Sequence, residues 1–181
     1  MPGQPFVVVE YPQADTPLAA FTLNVPGSTV DLISEPAVVA GDDLVHPSVA
    51  LIRGAPAADV DALLRRLARS YDVETLERND GARSWMGRMR IRASMFMHNP
   101  GAQVIVQFQH RFGAPWTHME AGVVHLRARI PESTQPELLA DQMRRFFGKA
   151  GVDAQVEVRE ISTKDYGVWD ELVQRAIGLV P

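Results

Sequence analysis

The fold is decided by two stretches, VALIRGAPAADVDALLRRLARSYDVETLER at residues 49–78 and VVHLRARIPESTQPELLADQMRRFFGKAGVDAQVEVRE at residues 123–160. In the first, a short apolar run is followed by Val60, Leu63 and Leu67 at helical spacing, and then by a second apolar run. In the second, alternation typical of a strand gives way to a helix that Gly151 is expected to end. Each stretch therefore predicts a strand, a helix and a further strand joined by one crossover.

Antiparallel strands beside the two βαβ units predict an α+β fold. We expect ferredoxin-like or ACT-like halves with helices on one sheet face. The chain is predicted to form a single compact unit over residues 1–181, with similar halves at about 48–93 and 104–161. Residues 1–47 are expected to add N-terminal strands, and an amphipathic helix is expected over 164–178.

Two local signals add detail to this outline. Pro26-Gly27 separates residues 21–25 from residues 30–34, which predicts a hairpin of two short strands. Thr134 and Glu137 have the spacing of a capping box, which predicts a side-chain cap at the start of the second long helix.

Composition limits the class of protein. A chain of 181 residues with a net charge of −4 does not have the bulk charge of a nucleic-acid-binding protein, so we predict no direct DNA binding. The sequence contains no cysteine and hence no disulfide, thiolate ligand or cysteine nucleophile. It also lacks a long apolar run and a signal-like N-terminus, which predicts a cytoplasmic protein that makes no contact with a membrane.

Charge is unevenly distributed along the chain. Residues 81–119 contain five arginines and three histidines but no Asp or Glu, whereas all 22 acidic residues lie outside this window. Such a division predicts a surface that faces an anion or a partner. Within the window we expect two strands, at about residues 85–93 and 103–112.

In the first of these strands, Arg88, Arg90 and Arg92 alternate with other residues and therefore share one sheet face. We call these three side chains the arginine stripe. If the second strand pairs with the first, Arg111 joins the stripe on a face with no acid nearby. Guanidinium groups bind carboxylates and phosphates through paired hydrogen bonds, so the stripe predicts a site for a small anion. A solvated face, or arginines paired with acids from helices or a second subunit, is the alternative.

Aromatic and imidazole side chains extend this candidate site. Trp85 and Trp116 are predicted to line an apolar pocket, with His118 as a ligand contact, and ordinary core packing is the alternative. His110 or His118 could instead act as a general base, which requires an oriented partner in a concave site. The window lacks the close ligand spacing of metal sites, and the chain lacks phosphate-loop and nucleophile motifs. We therefore predict neither a metal nor a cofactor.

Three stretches carry a resemblance to a known family. They are FTLNVPGSTVDLISEPAV at residues 21–38, DDLVHPSVALIRGAPAADVDALLRRLARSYDVETLER at 42–78, and GVVHLRARIPESTQPELLADQMRRFFGKAGVDAQVEVREI at 122–161. Their succession resembles the sensor region of bacterio-opsin-activator-type transcription regulators, where it precedes a C-terminal helix-turn-helix. Only about 20 residues follow Ile161, too few for that motif. The resemblance implies a separate sensor module and supplies no catalytic residues.

These patterns predict a soluble ligand-sensing or protein-interaction module that is regulatory rather than catalytic. We expect it to bind a small anionic or aromatic molecule between two similar halves and to form a homodimer. A small cofactor-independent enzyme with a histidine base in an apolar pocket is one alternative. Another is a module whose sheet edge or last helix docks a protein partner.

Overall fold

The structure, a computed structural model, describes residues 5–12, 16–34, 38–41, 43–92, 107, 116–130, 134–160, 167, 170 and 172–174. The strands are β1 (Pro5–Pro12), β2 (Thr29–Ser34), β3 (Val38–Ala40), β4 (Asp43–Arg53), β5 (Asp72–Asn79), β6 (Ser84–Arg92), β7 (Trp116–Glu120), β8 (Val123–Arg129) and β9 (Gln155–Glu160). The helices with defined bounds are α1 (Pro17–Asn24), α2 (Ala57–Leu67) and α3 (Pro136–Lys149). The protein is therefore α+β, as predicted.

The nine strands of the described ranges belong to one antiparallel sheet with the order β5-β6-β4-β2-β7-β8-β1-β9, and β3 pairs with β4. From either edge of the sheet inward, the strands are arranged in the same way. In one half, β6 lies between β4 and β5, which α2 connects; in the other, β1 lies between β8 and β9, which α3 connects. Because each inserted strand is antiparallel to both neighbours, the two strands that a helix joins run parallel. The halves meet where β2 pairs with β7.

The N-terminal strands are integral to this sheet. β1 pairs with β8 and β9, and β2 pairs with β4 and β7, so the N-terminal region contributes to both halves. The predicted hairpin of residues 21–25 with 30–34 is wrong, because α1 occupies Pro17–Asn24. Proline in the first turn suits a helix start, and Leu18, Ala19 and Phe21 become buried on the sheet, a tertiary effect that overrides the local turn signal.

Alternation along the strands separates two sheet faces. On the face that we call the helix face, buried side chains of α1, α2 and α3 form one core with strand residues. On the opposite face, which we call the second face, a smaller cluster joins Val49, Met86 and Leu172, and Leu172 is only 1% exposed. Leu172 belongs to the predicted C-terminal helix, and the described residues of that stretch, Gly167, Asp170 and 172–174, are helical.

The two ends of α3 can be compared with the predicted capping box at its start and the predicted stop at Gly151. The predicted capping box at Thr134 does not form: Gln135 is the N-cap and makes no side-chain cap hydrogen bond. Pro136 still provides a favourable first turn. The helix ends at Lys149, and Gly151 has a φ of 70°, as expected for a left-handed residue after a helix. No helix in the described ranges has the length and hydropathy needed to cross a membrane.

Candidate functional site

The arginine stripe lies on β6, on the second face, because Trp85 packs into the core on the helix face. Trp85 donates a hydrogen bond to Thr75 at 3.1 Å and lies away from the stripe. β4 and β5 pair with the two edges of β6, so the condition under which Arg111 would join the stripe is not met. In the stretch of residues 103–112, Gln107 is helical, and the remainder, with His110 and Arg111, lies outside the described residues.

Strand pairing places acidic side chains beside the stripe. Asp72 is the cross-strand partner of Arg90, and Glu74 is the partner of Arg88. The Glu74 carboxylate lies 4.0 Å from the Arg88 guanidinium, a loose and partly exposed pair that stabilises little. The expectation of a face with no acid nearby is therefore wrong, because strand register brings together residues that are distant in sequence.

The end of the stripe borders a cavity at the sheet edge. β6 extends past the start of β5, and there Arg90 and Arg92 line a cavity of about 310 Å³ together with Arg69, Tyr71 and Asp72. Ala68 and Ser70 complete the lining. Within the part of the chain that the structure describes, the side chains of Arg69, Arg90 and Arg92 make no hydrogen bond or ion pair. Three guanidinium groups therefore face one carboxylate, which leaves the cavity positively charged.

Trp116 and His118 lie on the same face but not beside the stripe. Arg88, Val49, Ile33 and Trp116 are successive cross-strand partners on β6, β4, β2 and β7. At about 4.8 Å per strand, the stripe and Trp116 are about 14 Å apart. The residues predicted to form one site are thus divided between the arginine-lined cavity and a second group on β7.

Asp31 is the centre of the second group, and sequence reasoning missed it. The side chain is 0% exposed, and it accepts hydrogen bonds from Trp116 Nε1 at 2.8 Å and from Arg53 Nη2 at 2.9 Å. Its third partner, His118 Nδ1, lies at 2.8 Å. Burial raises the pKa of Asp31, but the hydrogen bond and charge of His118, with hydrogen bonds from Arg53 and Trp116, outweigh burial and lower the pKa overall. Because an ionised carboxylate only accepts, the Nδ1 atom of His118 donates.

His125 repeats this arrangement on the next strand. It is the cross-strand partner of His118, and the two ring centroids are 5.7 Å apart. Its Nδ1 atom lies 3.1 Å from the Glu10 carboxylate, which accepts a hydrogen bond from Arg159 at 2.8 Å. Burial lowers the pKa of His125 against the opposing hydrogen bond and charge of Glu10. Burial raises the pKa of Glu10, but His125 and Arg159 lower it overall.

Two carboxylate–histidine pairs therefore lie side by side at the middle of the second face. The side chains of His118 and His125 are 16% and 22% exposed, so both rings are partly accessible. An imidazole with one nitrogen held by a carboxylate can accept or donate a proton at the other. Among the described residues, no three His, Asp or Glu side chains are grouped to hold a metal ion.

One sequence signal could have found part of this group, namely Gly122, because a glycine between two predicted strands is typical of a tight hairpin turn. Ala121 and Gly122 have φ values of 49° and 78°, as in a two-residue type I′ hairpin turn, and this turn sets His118 opposite His125. No comparable signal pairs Asp31 or Glu10 with them. Comparison with known proteins found no matching family model, no matching curated protein and no matching solved structure.

Proposed function

We propose that this protein is a binding module for a small anionic molecule and that the arginine-lined cavity is its site. The observation that carries the proposal is the grouping of Arg69, Arg90 and Arg92 around one cavity in which Asp72 is the one acid among the described lining residues. Guanidinium groups remain charged at all physiological pH values and bind carboxylates or phosphates through two donors at once. A bound anion would offset the excess positive charge.

The size and lining of the cavity suit a small ligand. Its volume of about 310 Å³ lies at the lower end of the range for small-molecule sites. Tyr71 adds a half-buried ring that can pack against an aromatic ligand. Burial raises the pKa of Tyr71 in spite of Arg66, so the phenol keeps its proton and can donate a hydrogen bond to an anion.

The same lining favours binding over reaction. Arginine does not lose its proton in proteins, and the raised pKa of Tyr71 keeps the phenol neutral. Asp72 is the one described lining residue that could act as a base, and it lies across the strands from Arg90, so we expect it to balance charge and the site to be regulatory. The lining residues belong to the half formed by β4, α2, β5 and β6, and we place the ligand there and not between the halves.

Three further expectations form part of the proposal. The resemblance to a sensor region supports a role in sensing within transcription regulation, through partners and without direct DNA contact. The net charge of −4 supports the expectation of no direct DNA contact, and the lack of cysteine supports a cytoplasmic protein. We expect a homodimer, which light scattering would report as twice the chain mass of 20.0 kDa.

Thermal denaturation with inorganic phosphate, citrate or benzoate tests the site. A ligand at a hundred times its Kd stabilises a protein by about 2.7 kcal/mol, which raises the Tm of a chain of this size by roughly 5–11 °C. We expect Arg90→Ala and Arg92→Ala to abolish the shift. Arg145→Ala, which removes an exposed arginine of α3, should leave it intact.

Added salt should reduce the shift, because exposed charges are screened. The proposal fails if none of the three probes raises the Tm of the wild type. It also fails if Arg90→Ala keeps the full shift.

A further inference from the structure

We propose that the second face carries an independent acid–base site, in which the Nε2 atom of His118 takes a proton from a small uncharged carbonyl compound while Arg53 binds the carbonyl oxygen. This site is separate from the arginine-lined cavity, which lies on β6 and at the start of β5. Either site can fail its test while the other stands.

The base is held in one orientation. Asp31 is fully buried, and its carboxylate is bound by donors from β4 and β7 on both oxygens. This anchored carboxylate accepts the Nδ1 hydrogen of His118, which leaves Nε2 as the atom that exchanges protons. The ring is 16% exposed, so a small molecule can reach it from the second face. His118 thus has the oriented partner that a general base requires.

Arg53 provides the group that can receive developing negative charge. Its Nη2 atom is bound to Asp31 at 2.9 Å, whereas its Nε–H is buried and has no hydrogen-bond acceptor within the described part of the chain. A buried donor without a partner is unfavourable, and a ligand oxygen would satisfy it. The side chain as a whole is 40% exposed but Nε itself is covered, so the oxygen reaches Nε only with a small shift of the guanidinium group.

Strand register places the two groups at one location. Thr29 is the cross-strand partner of Arg53 on one side and of Glu120 on the other. The Nε2 atom of His118 lies 3.8 Å from the Glu120 carboxylate. Arg53 on β4 and His118 on β7 therefore lie on opposite sides of Thr29 on the second face. The two strands are two spacings, or about 10 Å, apart. On the side of Arg53 away from His118, a cavity of about 250 Å³ has both apolar walls, from Leu51, Met86 and Leu172, and polar walls that include Glu77, Asn79 and Ser84.

Local charge selects an uncharged substrate. His118 lies beside Asp31, Glu120 and His125. Arg53 is paired with Asp31, and the charge of Arg127, which stacks on Trp116, is offset by Glu120, so no excess positive charge remains to hold an anion here. This preference is opposite to that of the arginine-lined cavity.

The reaction class is proton transfer next to a carbonyl group. The substrate C–H bond breaks, and its proton moves to Nε2 of His118. The electron pair of that bond forms the enolate double bond, while the carbonyl π pair moves onto the oxygen that accepts from Arg53. Return of a proton from Nε2 to carbon or oxygen completes an exchange or a tautomerisation, and nothing is oxidised or reduced. In D2O the carbon gains deuterium.

Proton NMR of hydroxyacetone and dihydroxyacetone in D2O tests this inference. We expect the full-length protein to exchange the C–H hydrogens faster than a protein-free blank, in proportion to protein concentration. His118→Asn should reduce the protein-dependent rate by about 10²–10⁴-fold, and Arg53→Ala should reduce it as well. Arg145→Ala should retain the wild-type rate, and anionic pyruvate should exchange more slowly than hydroxyacetone.

If His118→Asn does not fold, the exchange rate of the wild type measured as a function of pH still distinguishes an imidazole base from hydroxide. Exchange by an imidazole base rises through one ionisation and then levels, whereas exchange by hydroxide rises without a plateau. The inference is overturned if wild type does not exceed the blank, if a folded His118→Asn protein retains the full rate, or if the protein-dependent rate shows no plateau.

Discussion

Replacing Asp31 by asparagine tests the centre of the second face. The carboxylate is fully buried and is bound by Trp116, His118 and Arg53 at 2.8–2.9 Å. Asparagine preserves the shape of the side chain, but it removes the charge and replaces one acceptor oxygen with an NH2 group. That group must face at least one of the three donors, so a buried N–H loses its acceptor.

We expect Asp31→Asn to lower the free energy of unfolding by about 3 kcal/mol near neutral pH, from the lost charged hydrogen bonds and a buried unpaired donor. Arg53 is 40% exposed, so water replaces much of its bond, and most of the loss comes from the more buried Trp116 and His118. For a chain of 181 residues this corresponds to a fall in Tm of roughly 6–12 °C.

The pH dependence supplies a second measurement. The pKa of Asp31 is lowered from 3.8 in the folded protein, so its ionisation stabilises the fold above pH 3.8. That stabilisation is lost as the pH falls through the folded-state value. Urea denaturation should therefore show the full difference between wild type and Asp31→Asn at about pH 7 and a smaller difference at about pH 3.

Asp153→Asn is the matched control, because Asp153 is exposed and makes no hydrogen bond or ion pair with a described residue. Its effect should stay within about 0.5 kcal/mol. Equal urea midpoints for wild type and Asp31→Asn at about pH 7 would refute the role assigned to Asp31. So would a difference that does not change between about pH 7 and about pH 3.

The structure predicts the outcomes of three further substitutions. Burial lowers the pKa of His125 from 6.5 in spite of Glu10. The free energy of unfolding therefore does not depend on this group above pH 6.5, and it falls as the pH drops below 6.5. Urea midpoints measured below and above pH 6.5 should depend less on pH in His125→Asn than in the wild type. A Cβ at Gly87 would overlap the Trp85 ring and lie 2.6 Å from the Glu74 carbonyl oxygen, so Gly87→Ala should cost about 1–3 kcal/mol. In α3, Gly148→Ala meets no atom within 4 Å and should stabilise by up to about 1 kcal/mol, and similar effects of the two changes would contradict this account.

Local periodicity was sufficient for several elements. The predicted strand at about residues 85–93 is observed as β6, and the alternation correctly placed its arginines on one face and Trp85 on the other. The strand at 123–130 and the two long helices were also predicted near their observed positions. The hairpin at residues 21–25 failed because turn residues and an apolar run fit a helix end as well as a strand end.

Less of the candidate site than of the fold could be predicted from the sequence. The arginine stripe was found, but its neighbouring acids and the cavity beside it arise from the pairing of β5 with β6. His118 was singled out without Asp31, which is 87 residues away in sequence. The notion of one site joining the stripe to Trp116 did not account for β4 and β2, which lie between them.

The sequence by itself determined the strand–helix–strand units, the face on which each strand residue lies, and the region of excess positive charge. These follow from local repeats of 2 and 3.6 residues and from composition, which need no knowledge of distant chain segments. The tertiary structure alone decided that β1 lies between β8 and β9 and that β2 pairs with β7. Partners across a sheet depend on the order and register of strands, which many long-range contacts settle together. That order brings Asp31 to His118 and Glu10 to His125.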